Sequence, residues 1–515
     1  MRLVQPKTPG LLALLVLVAI AACKVTASDI EYWKGTERGP GKIVAVMLSD
    51  NYPIDLRTSA ALALVEMERP GQEDDDGVVK LQQALQQLPQ DMRGQIIDGM
   101  VPGLEALMQG TDAAQGTDER NGPPESQIRA KDAAYLLIVH ASAASRERLV
   151  RAVVGWYTVD FNGRNLAGSY SAEQVVRSLG APAATLLVDA INANMPQAAL
   201  IKIAELIGQL ADDAGKARAA QRLVQVELEM EADPFLGRLK DRVRAQIQEA
   251  RPGQPMPEDF VTRTAETNRE LFINDGALPA MKHLATQQLI AERLLAIASS
   301  TVNEGAVAER RWRALAALEG NVSRAQLGRI LDLALNAQSP TRVRDYAFDR
   351  IADIRSADAI PRLWPLVQSA ENQRERWRAG ELVLTLGGPQ VIEEFFANLP
   401  VGDTVKYEPE ELAGYATRMS QMTPPPTDRV LRQLGSGDWW DRVIVLRYLE
   451  RKGAAEHVAR MQRLTNDSAE VQGEHWDETR SVGQVAQQAI SALQERLRGG
   501  NQAQAQPPAQ PPQGS

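Results

Sequence analysis

Apolar residues recur every three to four positions along most of the chain, from about Lys42 almost to residue 498. This spacing is typical of amphipathic α-helices, in which residues three, four and seven positions apart share one face. Ala and Leu dominate the apolar set, and aromatic residues make up only 5% of the chain. Because strands prefer aromatic and β-branched residues, this balance favours helices. The pattern therefore predicts an all-α fold.

One helical pattern occurs three times in the second half of the chain. Each copy has an Arg, an Ala three positions later and a branched apolar residue seven positions later, and the copies begin at Arg311, Arg344 and Arg376. A second amphipathic helix follows each copy, and Ser323 to Gln326 has the sequence of a capping box for the first of these helices. Each unit is thus predicted to be a helix, a short turn and a second helix.

The segment from Pro340 to Ala347 resembles the first helix of HEAT repeats, which often carries a Pro, then Val-Arg, then an Ala three residues after the Arg. Pro53 to Leu62 is similar, and the resemblance is clearest over about 305–400. It implies an α-solenoid of stacked helix pairs, a HEAT-like superhelix whose curved surface binds a protein partner. A non-repeating all-α protein is the alternative. The repeated Arg either pairs with a carboxylate of the next unit or lies solvated on the outer face.

The chain has 515 residues, more than one compact core usually holds, since cores stop growing at about 250–300 residues. Composition and turn-forming residues suggest six segments. These are a signal peptide (1–22), a tether (23–41), irregular N-terminal helical repeats (42–250), a Pro-rich hinge (251–260), C-terminal HEAT-like repeats (261–498) and a disordered Gln/Pro-rich tail (499–515).

The N-terminal segment follows the plan of a secretory signal. Arg2 and Lys7 supply positive charge, and the apolar run from Leu11 to Ala22 is too short for a membrane-spanning helix, which needs about 20 residues. The run ends in Ile-Ala-Ala-Cys, which resembles the lipobox of bacterial lipoproteins, so that Cys23 becomes the first residue of the mature protein and carries acyl chains. An ordinary signal peptide with an incidental Cys is the alternative. Cys23 is the only Cys of the chain, so the mature fold must rest on packing without disulfides.

The residue after Cys23 is Lys24. In lipoproteins of this type an Asp at that place commonly retains the protein in the inner membrane, so Lys24 favours the outer membrane, on its periplasmic or its surface face. Attachment through more than one acyl chain gives stable anchoring. We therefore expect a protein fixed to the cell envelope through a lipid anchor.

Motifs that carry chemistry are missing from the sequence. The four His residues do not occur in a His-Glu-x-x-His or comparable spacing, and there is no Gly-x-Ser-x-Gly, phosphate loop or dinucleotide-binding fingerprint. We therefore predict no catalytic, cofactor-binding or metal-binding residues, and no enzyme activity. The net charge of −9 and the lack of a basic patch also argue against nucleic acid as a partner.

One segment, 155–170, is rich in aromatic residues within a chain that has few. Trp, Tyr and Arg dominate binding hot spots, so one hypothesis makes this segment part of a partner site. Its contacts would be Trp156, Tyr157, Phe161, Arg164 and Tyr170. The alternative, which the sequence favours, is that these aromatic side chains fill a gap between irregular repeats.

A second aromatic pair, Trp439-Trp440, follows Asp438. One interpretation is that Asp438 caps the next helix, with one Trp packed in the core and the other exposed; the sequence favours core packing as the role of the pair. Taken together, the sequence predicts a lipid-anchored envelope protein that acts as a protein-binding scaffold. Two alternatives stay open: an enzyme with a scattered site near 155–170, and a structural protein of the cell envelope.

Overall fold

The structure is a computed structural model that describes residues 25–67, 76–109, 122–253, 257–302, 305–402, 405–476 and 479–505, with side chains up to residue 498. Cys23 and the signal segment lie outside the described residues. The described part of the chain is helical, and its β-structure amounts to a single isolated bridge between Glu470 and Ser481. The predicted all-α fold is therefore confirmed.

The chain divides between Ile290 and Ala291 into two compact units. Unit 1 contains fifteen described α-helices. They are α1 (Ala27–Lys34), α2 (Gly39–Leu48), α3 (Ile54–Glu66), α4 (Gly77–Gln87), α5 (Gln90–Gln109), α6 (Glu125–Leu137), α7 (Ala143–Val159), α8 (Phe161–Arg164), α9 (Ala172–Leu179), α10 (Ala181–Leu187), α11 (Gln197–Leu210), α12 (Asp213–Glu231), α13 (Asp233–Ala250), α14 (Glu258–Phe272) and α15 (Leu278–Lys282).

Helix α16 (Gln288–Ala298) spans the division, and the other described helices belong to unit 2. They are α17 (Gly305–Ala317), α18 (Leu327–Leu335), α19 (Thr341–Ile354), α20 (Ile360–Val367), α21 (Gln373–Gly387), α22 (Ile392–Asn398), α23 (Pro409–Ser420), α24 (Thr427–Leu431), α25 (Trp439–Lys452), α26 (Val458–Gln462) and α27 (Val482–Ala505).

In unit 2 the odd-numbered helices from α17 to α27 form one row, in which each packs against the next odd-numbered helix. The shorter even-numbered helices lie beside this row, with α18 on α19 and α20 on α21. The repeated Ala positions, Ala314, Ala347 and Ala379, are fully buried, and their small side chains let neighbouring helices approach closely. Since one helix pair cannot bury its apolar face alone, stacking supplies the core. Unit 2 is therefore an α-solenoid, with the helix pairs that the repeat predicts.

Unit 1 also buries its apolar faces between neighbouring helices, but it is less regular. Helix α3 packs on α5 and α6, α7 on α10, and α11 on α15. A π-helical turn, Ile273–Ala277, precedes α15 and also packs against α11. Gly208 of α11 is needed for this packing, because a Cβ there would lie 2.4 Å from the carbonyl oxygen of His283.

The predicted tether over 23–41 is wrong for its described part. Residues 27–34 and 39–48 form α1 and α2, and both helices pack on α3. Thr26 and Asp29 cap α1 reciprocally, and Ile30 and Ile43 are buried. Gly39 does not break the structure: it allows a close approach, since a Cβ there would lie 1.8 Å from the carbonyl oxygen of Trp33.

The predicted hinge at 251–260 and the predicted start of the disordered tail also differ from the structure. Helices α13 and α14, on either side of the Pro-rich segment, pack on each other, so the segment connects a helix pair. The division between compact units lies further along, after Ile290. Helix α27 continues past residue 499 to Ala505, and 506–515 lie outside the described residues.

Candidate functional site

The aromatic segment 155–170 is packed inside unit 1. Trp156 and Tyr157 lie in the last turn of α7, and Phe161 and Arg164 lie in the short helix α8. These four side chains are buried, and Tyr170 is half-buried. The Arg164 guanidinium lies 4.8 Å from the centre of the Trp156 ring and donates to the Trp156 carbonyl at 2.9 Å. The segment is therefore folded onto the end of its own helix.

The centre of this cluster is Lys131 of α6, whose side chain is fully buried. Its ammonium donates to the carbonyls of Ala167 (2.8 Å) and Tyr170 (3.0 Å) and forms an ion pair with Asp132. The rings of Trp156 and Tyr157 lie 5.4 and 5.2 Å from the Lys131 nitrogen. Burial lowers the pKa of Lys131, while the hydrogen bond from Lys131 to Asp132 opposes that change.

The predicted partner contacts at Trp156, Tyr157, Phe161 and Arg164 are therefore corrected. Their exposed fractions are 3%, 0%, 4% and 9%, so these side chains stabilise the segment and do not offer a surface. The Tyr157 hydroxyl donates to the Tyr170 carbonyl, and burial raises the pKa of that hydroxyl. The alternative interpretation, in which aromatic side chains fill a gap between repeats, describes the observed packing.

Sequence analysis did not single out Lys131 and Asp132. The sequence nevertheless contained an indication, because the two charged residues lie within a stretch of α6 whose other members, Ala130, Ala133 and Ala134, are apolar and buried. A charged pair inside a buried stripe needs partners of its own, since an unpaired buried charge is costly. In this case the partners come from the aromatic segment.

The second aromatic pair is buried as well. Both Trp439 and Trp440 lie in the core of unit 2, which agrees with the favoured interpretation of core packing, and neither is the exposed Trp of the first interpretation. Trp440 stacks on Tyr407 with ring centres 5.1 Å apart, and Trp439 makes an edge contact with Trp476. Asp438 occupies the N-cap position of α25 but forms no side-chain capping bond, which corrects the predicted cap.

The repeated Arg residues connect consecutive units of the solenoid. Arg344 of α19 forms an ion pair with Glu375 of α21, and Arg376 of α21 forms one with Glu411 of α23. The predicted pairing with a carboxylate of the next unit is thus confirmed for these two positions. The first repeated residue, Arg311, donates to the Ala298 carbonyl and to the Ser339 hydroxyl.

The outward side of α17 and α19 carries half-buried aromatic residues, in contrast to the buried pairs above. The rings of Trp312 and Tyr346 stack with their centres 5.4 Å apart and their planes at 25°. The exposed Arg342 places its guanidinium 3.5 Å from the centre of the Trp312 ring, and the Arg313 guanidinium lies 5.1 Å from it. We call Trp312, Tyr346 and Arg342 the aromatic platform.

Ion pairs between consecutive repeats continue this surface toward α21 and α23. Arg378 reaches Asp349 at 2.8 Å, and Arg418 reaches Glu381 at 3.6 Å. Each pair is partly exposed and therefore contributes little to stability on its own. Such pairs fix the orientation of long side chains on this side of the solenoid.

Among the described residues no group of three or more His, Cys, Asp or Glu side chains is arranged to hold a metal ion. His475 lies on the surface, where its ring contacts the Glu408 carboxylate at 3.1 Å. Within the same residues, no helix has the length and apolar character that crossing a membrane requires.

No protein-family model matches the chain, and no curated protein matches it. Among solved structures, Kap121p is similar at 13% identity with a TM-score of 0.39, over 94% of this chain and 51% of that one. Kap121p bound to the SUMO protease Ulp1p gives 13% and 0.35, over 95% of this chain and 48% of that one. The complex with Pho4p gives 12% and 0.33, over 95% and 54%. This chain thus spans about half the length of these helical proteins, and the assignment of its fold rests on its own helix stacking.

Proposed function

We propose that this protein is a lipid-anchored scaffold of the bacterial cell envelope that binds a protein partner through the outward side of unit 2. The observation that carries the proposal is the aromatic platform, in which Arg342 lies 3.5 Å above a Trp312 ring that is itself stacked on Tyr346. These three residue types are the ones most enriched in binding hot spots.

The platform is already ordered in the free protein, which favours binding. Trp312 and Tyr346 come from consecutive odd-numbered helices, so the stacking of the repeats fixes their relative position. Immobilising a side chain on binding costs about 0.5–1.5 kcal/mol, and side chains that are held beforehand avoid much of that cost. A partner would therefore gain contacts to the Arg342 guanidinium and to the accessible parts of two half-buried rings, with little loss of conformational freedom.

The lipid anchor is supported by the N-terminal sequence. The only Cys of the chain, Cys23, follows two Ala residues at the end of a twelve-residue apolar run. Anchoring at this end leaves the helical units available for contacts outside the bilayer. Lys24 favours the outer membrane for the anchored protein.

Crosslinking in intact cells, followed by affinity purification, tests the binding role. The wild type is compared with a Trp312→Ala/Arg342→Ala variant, and Tyr32→Ala serves as the control because Tyr32 is an exposed aromatic residue in unit 1. We expect one set of crosslinked proteins to be recovered with the wild type and the control and reduced severalfold with the double variant. Equal recovery with all three proteins would contradict the platform as the binding surface.

A further inference from the structure

Two consecutive gaps between odd-numbered helices are built from equivalent residues. The first gap lies between α19 and α21, and the second lies between α21 and α23. Alignment of the buried positions of these helices makes Arg344 equivalent to Arg376, Glu375 to Glu411, Phe348 to Gly380 and Ala379 to Tyr415. Each gap therefore has an Arg–Glu ion pair and one aromatic ring, which comes from the preceding helix in the first gap and from the following helix in the second.

The second gap is closed, and its ion pair is fully satisfied. Arg376 binds both oxygens of Glu411, at 2.7 and 2.9 Å. Its remaining donors reach the carbonyls of Lys406 (2.7 Å) and Ser369 (3.2 Å). The ring of Tyr407 lies 4.4 Å from the guanidinium and covers it. As a result, neither charged side chain is exposed to solvent.

The cover of the second gap is an extended segment of the same chain. The connection from α22 to α23 comprises residues 399–408, and its end crosses over Arg376 with Val405 and Tyr407 buried. The Tyr407 hydroxyl donates to the Pro400 carbonyl at 2.9 Å, which holds the segment in place. A main-chain carbonyl beside an aromatic ring is thus the combination that this chain uses to cover a repeated Arg.

Within the described part of the chain, the first gap lacks such a cover. The connection from α20 to α21 comprises only residues 368–372, too few to cross the gap in the same way. A cleft of about 210 Å³ remains, and Phe348 lines it. Arg344 contacts Glu375 through Nη1, while its buried Nε has no hydrogen-bond partner among the described residues. The two charged side chains are 16% and 15% exposed.

The Arg344–Glu375 pair is thus covered less completely than the Arg376–Glu411 pair, and Arg344 lines the open cleft. We propose that the cleft over Arg344 binds an extended segment of a partner protein that carries a Tyr or Phe residue. The aromatic ring lies over the Arg344 guanidinium, and the main-chain carbonyl before it accepts from Nη2, as the Lys406 carbonyl accepts from Nη2 of Arg376. This inference rests on the proposed scaffold function and names the chemistry that one part of the partner must have. The proposed ligand resembles the chain's own segment 405–408, because that segment covers the equivalent residue, Arg376, one repeat later.

Saturation-transfer NMR with a synthetic peptide tests the proposal. The peptide Val-Lys-Tyr-Glu-Pro reproduces residues 405–409 of this chain and is added to the full-length protein in detergent. We expect saturation of the Tyr ring protons with the wild type, and roughly tenfold weaker binding of a peptide that has Ala in place of Tyr.

Three protein variants locate the binding site. Arg344→Lys keeps the charge but removes the planar guanidinium, and Thr341→Trp fills the mouth of the cleft from an exposed position without changing the ion pair. Arg362→Lys on α20 is the matched control, since Arg362 pairs with Asp332 on the surface. We expect weak saturation with the first two variants and wild-type saturation with the control.

Equal saturation with all four proteins, or none with the wild type, would overturn the proposal. A peptide failure leaves the scaffold function intact if crosslinking still recovers partners that depend on Trp312 and Arg342. If crosslinking recovers no partner that depends on Trp312 and Arg342 while the peptide binds at Arg344, the cleft is supported as a binding site and the aromatic platform is not the binding surface. The two outcomes are thus distinguishable.

Discussion

Arg376 of α21 and Glu411 of α23 form a two-bond ion pair in the core of unit 2, with neither side chain exposed. Tyr415 also donates to the Glu411 carboxylate, at 2.9 Å. Removal of one partner from a buried pair leaves the other charge without compensation, which typically costs about 3–5 kcal/mol. The pair therefore joins two consecutive repeats, and its loss costs more stability than the loss of a surface ion pair.

Glu411→Ala is expected to lower the free energy of unfolding of unit 2 by about 3–5 kcal/mol. Urea unfolding followed by Trp fluorescence measures this change, since Trp439 and Trp440 lie in the same core. Asp345→Ala is the control, because its partner Arg374 is 65% exposed and such pairs contribute about 0–1 kcal/mol. Equal unfolding midpoints for the two variants would show that the buried pair contributes no more to stability than the surface pair.

Gly380 and Gly328 are both helical glycines of unit 2, but their surroundings differ. A Cβ on Gly380 would lie 2.6 Å from the ring of Tyr415, whereas a Cβ on Gly328 would meet no atom within 4 Å. Gly380→Ala should therefore displace the Tyr415 ring and destabilise the protein by about 1–3 kcal/mol. Gly328→Ala should stabilise it by about 0.4–1 kcal/mol, because Ala restricts the unfolded chain. Thermal unfolding of both variants checks the opposite signs, and a shift of the same sign in both would contradict the packing described.

Asp441 predicts a pH dependence of stability. Burial raises the pKa of its carboxyl from 3.8 to about 7; the Ser436 hydroxyl and Arg442 oppose this change, and Asp438 adds to it. Between pH 4 and pH 7 the unfolded chain has already lost this proton while the folded protein retains it. Stability contributed by the protonated group is therefore present at low pH and lost as the pH rises toward 7.

At 1.36 kcal/mol per pH unit, the effect of Asp441 amounts to about 4 kcal/mol at most over this range. Asp441→Asn should remove this contribution, so that its stability falls less between pH 4.5 and pH 7.5 than that of the wild type. Urea unfolding at a series of pH values measures the two slopes. Parallel slopes for wild type and variant would mean that Asp441 ionises normally in the folded protein.

Features that depend on residues close together in the sequence could be predicted, whereas features that depend on residues far apart could not. The repeat at Arg311, Arg344 and Arg376 was predictable, because the Arg, the Ala and the apolar residue lie within two turns of one helix. The ion pairs of these arginines were predicted as one of two outcomes. The choice between them was not possible, because it depends on where the next helix places Glu375 or Glu411.

The aromatic residues were predictable only in part. Packing was the favoured interpretation for Trp156 and Trp440, and both are buried. Their burial depends on distant partners, Lys131 for the first and Tyr407 for the second, which sequence proximity does not reveal. Trp312 and Tyr346 form a half-buried stack for the same reason: consecutive repeats bring together two residues that lie far apart in sequence.

Lys131→Met tests whether the buried ammonium fixes the segment that follows α7. The change removes the hydrogen bonds to the carbonyls of Ala167 and Tyr170 and leaves Asp132 without its cation. We expect faster hydrogen exchange over 160–171, because local opening no longer breaks these contacts. Lys202→Met is the control, since Lys202 forms partly exposed pairs with Glu173 and Glu205. Unchanged exchange over 160–171 in the Lys131 variant would show that the aromatic side chains hold the segment without the ammonium.

Cys23→Ser tests the lipid anchor, which the sequence predicts and which lies outside the described residues. If Cys23 carries the acyl chains, the variant should lose lipid labelling and move from the membrane fraction to the soluble fraction, provided that the leader is still removed. Metabolic labelling with a fatty-acid analogue and fractionation of the envelope measure both properties in the same cells. Lys24→Ala is the control: it leaves the thiol in place, so labelling should persist while the choice of membrane can change. A wild-type protein that carries no label, or a Cys23→Ser protein that is still labelled, would contradict the lipoprotein assignment.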